Sequence, residues 1–138
     1  MANPLLGTGL GSVPATALYG GLNALLTVAL AMNVSRVRGK YQTFRGDGGH
    51  AELIGAIRAH GNNVEYVPVV VLLLLIAELC GGSSLMLHIF GVAFLVARIL
   101  HPVGLMKNIA PAQIAGATLS YLLQAVLAIY VLYLRPWG

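Results

Sequence analysis

Along the chain, long runs without charge alternate with short polar breaks. Apolar positions dominate four stretches, at about 13–34, 51–79, 85–105 and 111–134. A hydrocarbon core of about 30 Å is crossed by about 20 helical residues, and each stretch reaches that length. Helices are expected because, in lipid, each backbone N–H and C=O must be satisfied within its own segment. The breaks carry turn chemistry. Gly39 and Gly46-Asp47-Gly48-Gly49 mark a polar connection, Gly81-Gly82-Ser83-Ser84 a tight turn, and Lys107-Asn108 precede Pro111 near the start of the last helix. No internal repeat or long linker divides the chain. The pattern predicts one all-α domain over residues 1–138, a bundle of four transmembrane helices.

Composition strengthens this reading. The chain is 58% hydrophobic and 9% charged, against roughly 25% charged residues in ordinary soluble domains. A chain so poor in charge cannot cover a water-facing surface, whereas lipid accepts apolar side chains on every face of a helix. The net charge of +4 is not gathered on a soluble module, so it gives no nucleic-acid partner. The stretch before the first apolar run lacks Lys and Arg, unlike the basic start of a secretory signal, so that run is expected to be a retained helix.

The positive charges set an orientation. Arg36, Arg38, Lys40 and Arg45 lie in the first connection and Lys107 in the third, while Arg135 alone lies outside a helix on the opposite side. Basic residues favour the cytoplasmic side. The first and third connections are therefore expected in the cytoplasm, with both termini and the Gly81–Ser84 turn outside. Tyr130, Tyr133 and Trp137 would form an aromatic belt at the outer interface.

The second stretch is polar in its first half and aliphatic in its second. Arg58, Asn62 and Glu65 are spaced by four and three residues, which places them on one helical face. Arg98 and His101 lie near the cytoplasmic end of the third stretch. At 1.5 Å per residue, Arg58 and Arg98 are both ~10 Å from the cytoplasmic ends of their helices, so the two polar faces are level and can converge. Arg36 and Arg38 stand at the mouth of that region. Ionisable groups inside a span cost about 3 kcal/mol each, so they are expected to face protein or water. They could simply neutralise one another and hold helices together. The surplus of Arg36, Arg58 and Arg98 over Glu65, however, suits an anionic ligand, because guanidinium binds carboxylates bidentately.

Other groups carry less. Four histidines lack metal-ligand spacing, so no metal site is expected. Gly46-Asp47-Gly48-Gly49 lacks the strand–turn–helix setting of a phosphate loop. Cys80 is the only cysteine and lies away from the polar cluster. Pro68 and Pro102 are expected to mark kinks.

Arg58-Ala59-His60-Gly61-Asn62-Asn63-Val64-Glu65, with Pro68 beyond it, resembles the second-helix pattern of the MAPEG family, the membrane-associated proteins in eicosanoid and glutathione metabolism. Arg36-Val37-Arg38, Arg98 and His101 support the likeness, which covers nearly the whole chain. The resemblance implies a homotrimer that binds glutathione between subunits in the cytoplasmic half. Arg36, Arg58, Asn62, Glu65 and Arg98 would hold the tripeptide, with His101 and Arg38 as further contacts. It implies a microsomal glutathione transferase-like protein, a transferase or peroxidase acting on hydrophobic electrophiles that arrive from lipid. For so minimal a chain, the simplest expectation is a bacterial cytoplasmic (inner) membrane.

The chain departs from the family pattern at the catalytic half of that site. Gln113 stands where thiol-activating members carry an Arg, and Leu105 and Ala117 where several enzymatic members carry Tyr. An Arg lowers a thiol pKa by stabilising the thiolate, and a neutral Gln does so only weakly. The alternative is therefore a non-enzymatic lipid-binding or scaffold member. A transporter ranks last, because Val69 to Ala77 offers no polar group across the outer half.

Overall fold

The computed structural model describes residues 12–135. It is all-helical, in the order α1 (Pro14–Tyr41), α2 (Ala51–Leu79), α3 (Ser84–Lys107) and α4 (Ala110–Leu134). All four are long and apolar enough to cross a membrane. Trp137 of the expected aromatic belt lies outside the described residues.

Local chemistry explains the ends. Proline lies in the first turn of both α1 and α4, where its missing N–H would have had no helical partner anyway. α1 and α3 stop at Gln42 and Asn108, both left-handed, with φ of 51° and 56°. After Asn108, Ile109 N–H donates to Gly104 O at 2.8 Å and closes the last turn of α3.

The first helix runs beyond the expected end near residue 34, to Tyr41. Arg36, Arg38 and Lys40 are therefore on its final turns and not in a loop. Charge ends a membrane-crossing run but leaves helical propensity intact, since Arg and Lys are good helix formers. Gly39 sits inside this helix. Pro68 and Pro102 likewise lie within α2 and α3, which continue past them.

α1 packs chiefly on α2, and α4 chiefly on α3, with α2 and α3 between them; among the described residues α1 and α4 do not meet. Small residues set the α3–α4 approach. A Cβ on Gly116 would stand 2.5 Å from His101 N, and one on Gly104 would stand 2.2 Å from Gln113 N. Such close backbones are a usual means of packing helices where lipid removes the hydrophobic drive to associate.

The main core unites Tyr19, Val70, Leu74, Phe90, Phe94 and Leu127. A smaller cluster of Val37, Leu53 and Ala56 joins the last turns of α1 to the start of α2. Outside the core the helices present large apolar side chains, among them Leu25, Met32, Ile114 and Ile129, each more than three-fifths exposed. Water would penalise so extensive an apolar surface. Lipid does not.

Candidate functional site

Three groups of polar residues in the spans bear on the site. The first surrounds Arg98. This arginine is 1% exposed, and its Nη1 donates to both the main-chain O and the Oδ1 of Asn62 at 3.3 Å. The guanidinium carbon lies 5.4 Å from the ring centre of Tyr66 and 5.8 Å from that of Phe94, within cation–π range. Its Nε and Nη2 are buried without a hydrogen-bond partner. One turn on, His101 is also buried, with Nδ1 unpartnered.

The second group is on the outside of α2. Arg58 and Glu65 are both exposed, and among the described residues neither has an ion pair. Glu65 thus does not neutralise Arg58 or Arg98 within the chain. Arg36 is exposed at the end of α1, bonded to Asn33 Oδ1 at 3.0 Å and 3.8 Å from Glu52 Oε1. Lys40 pairs with Glu52 too, and Tyr41 donates to Glu52 at 2.8 Å. Arg38 instead holds the connection together, donating to Thr43 O and Gly46 O at 3.1 and 2.8 Å.

Of the six candidates, one chain brings Asn62 and Arg98 into contact and sets His101 beside them. It leaves Arg36, Arg58 and Glu65 on its surface. Sequence reasoning missed Tyr66, whose place one turn after Asn62 was the available signal.

The third group was also missed. Asn63 Nδ2 donates to Thr27 Oγ1 at 2.8 Å, and Thr27 donates to Asn23 O at 2.9 Å. This seam stitches α1 to α2, and polar side chains inside a span are bonded this way because lipid offers them no partner. The Asn at 23 and Thr at 27, i and i+4 in an apolar run, were the legible sign.

The arrangement can take an anion. A buried cation with two free donors, hydrogen-bonded only to the neutral Asn62, has unmet demand for negative charge. Comparison with known proteins gives this geometry its setting. The family model of the MAPEG family matches residues 16–133. The chain belongs to the MAPEG family. Among MAPEG-type relatives, the inner membrane protein YecN of Escherichia coli (strain K12) is 35% identical over 122 residues, 88% of this chain and 93% of that protein. YecN of Escherichia coli O6:H1 matches to the same extent. This MAPEG chain is a multi-pass integral membrane protein, and its relatives place it in the bacterial inner membrane.

Proposed function

We propose that this MAPEG protein binds glutathione in its cytoplasmic half, at a site completed by a second copy of the chain in a homotrimer. The observation that carries the reading is Arg98, held in place by Asn62 with Nε and Nη2 free. A carboxylate of the tripeptide would take both donors. A buried guanidinium gains most from a bidentate, charge-assisted partner. Arg58 and Glu65, exposed on one face of α2, would complete the site from a neighbouring copy, removing from lipid two charges that cost about 3 kcal/mol each there. Arg36 would stand at its rim, and His101 would border it.

If the bound thiol reacts, it is the nucleophile: its proton passes to water, its sulfur forms a bond to a hydrophobic electrophile from the bilayer, and the leaving group departs with the electron pair of the bond that breaks. That is transferase chemistry, with peroxidase chemistry as its oxidative counterpart. One observation favours a second, non-enzymatic reading, in which the protein binds lipid or acts as a scaffold. No charged side chain occurs between Ala110 and Leu134, so α4 supplies no cation to hold a thiolate.

Calorimetry with glutathione in detergent tests the ligand without presuming a reaction. Saturable binding is expected, weakened about tenfold or more in Arg98→Leu, since one charge-assisted bond contributes roughly 1.5–3 kcal/mol. Absence of binding, or equal binding by the variant, would overturn the proposal. Absorbance of the thiolate near neutral pH then separates the enzyme from the non-enzymatic protein.

A further inference from the structure

The outward side of α3 carries a polar group that the glutathione site does not use. His88 is exposed, and its Nδ1 lies 2.9 Å from the hydroxyl of Tyr19 on α1. Tyr19 is buried, and Gly91 lets its ring come this close, since a Cβ there would meet it. A buried phenol keeps its proton paired, and the hydroxyl has no other partner among the described residues, so it donates to Nδ1. The neutral imidazole then carries its own proton on Nε2, which has no partner among the described residues. Beside it a groove of about 400 Å³ runs over Ile89, Val92 and Ala93. Leu85, Val96 and Ile99, all exposed, extend the same apolar face along the helix.

We infer that this face of α3 binds a glycerophospholipid, whose ester or phosphate oxygen accepts from His88 Nε2 while an acyl chain follows the groove. Depth selects the class. α3 has 24 residues, ~36 Å at 1.5 Å each, so it overhangs a hydrocarbon core of about 30 Å by ~3 Å at each end. His88 comes four residues after Ser84, ~6 Å along the axis, which sets it ~3 Å inside that core. Helical side chains tilt toward the N-terminus, so the imidazole leans back to the level of the headgroups. Phospholipids carry their oxygen acceptors there, and their chains leave that level along the helix, as the groove does. The face does not suit a second helix. Helices meet in lipid through small residues, and Ala93 apart these are large. Arg98 and His101 are buried within the bundle, so the inference does not rest on glutathione binding.

The probe is a phosphatidylglycerol with a diazirine on one acyl chain next to its ester, photolysed with the full chain in detergent and mapped by mass spectrometry. Labelling should concentrate on residues 85–96, above that on the comparably exposed Leu25, Val28 and Met32 of α1. His88→Leu, which keeps an apolar surface, should lower it about three- to tenfold, the worth of one net hydrogen bond. His88→Gln, which keeps an N–H donor, should retain most of it. Tyr19→Phe should lower it only where His88 is present, with circular dichroism helical throughout. Labelling spread evenly over all lipid-facing positions would overturn the inference, as would equal labelling of the leucine variant. Disulfide formation between copies through Val92→Cys, with no labelling, would assign the face to a second copy and also overturn it.

Discussion

Glu78 on the last turn of α2 reaches the first turn of α1, where its Oε2 accepts the N–H of Thr16 at 2.7 Å. Its Oε1 accepts the N–H of Ala15 at 2.8 Å. Val13, the residue before α1, has no side-chain cap of its own, so an acidic group from another helix fills the place usually taken by Ser, Thr, Asp or Asn. The negative charge also meets the positive end of the α1 dipole.

Glu78→Ala should therefore destabilise the fold by about 1–3 kcal/mol, the range for losing a cap or charged hydrogen bonds. Glu78→Gln, which keeps an acceptor, should cost less. Thermal unfolding in detergent checks both. An unchanged midpoint for the alanine variant would mean that the cap contributes nothing.

The contact of Gly91 with Tyr19 gives a second test. A Cβ on Gly91 would lie 2.0 Å from Tyr19 Cδ2, so Gly91→Ala overpacks the core and should cost about 1–3 kcal/mol. Tyr19→Phe keeps the ring and should give no relief in that background. Tyr19→Ala removes the clash, so its own cost should shrink when Gly91→Ala is already present. Additive losses in the double variant would contradict this packing.

On α2, Arg58→Leu and Glu65→Gln should leave thermal unfolding of the single bundle nearly unchanged, since neither side chain has an ion pair within the described chain. Both should weaken glutathione binding and assembly if a second copy completes the site. Light scattering and calorimetry on the same samples separate these effects. Loss of helix with intact assembly would contradict the placement of both residues.

Orientation is open to direct labelling in a Cys80→Ser background. A cysteine at Ser83 should react with an impermeant maleimide in intact cells, and one at Gln42 only after permeabilisation. Reaction at position 42 in intact cells would place the Arg98 region on the side away from cytosolic glutathione.

The spans were legible because absence of charge over about 20 residues has few causes other than lipid. The end of α1 was not, because Arg36, Arg38 and Lys40 forbid hydrocarbon but permit helix. At the site, an arginine at position 98 amid aliphatic residues announced itself, and the i, i+4, i+7 spacing set Arg58, Asn62 and Glu65 on one helical face. Facing direction was harder to read. Asn62 turns toward Arg98, while Arg58 and Glu65 remain on the surface, and only tertiary packing decides which edge of a helical stripe is covered. Glu78 illustrates the same gap. In sequence it is a lone carboxylate after an aliphatic run, and its use depends on where the first helix begins in space.

The bond between Arg98 and Asn62 also bears on biosynthesis. A ribosome delivers Asn62 thirty-six residues ahead of the arginine, so the amide that receives the guanidinium is made before α3 arrives. The third helix can enter beside the second and pass its cation directly to a waiting acceptor. Exchanging the order of these two segments would force the arginine to enter the lipid with no partner yet made.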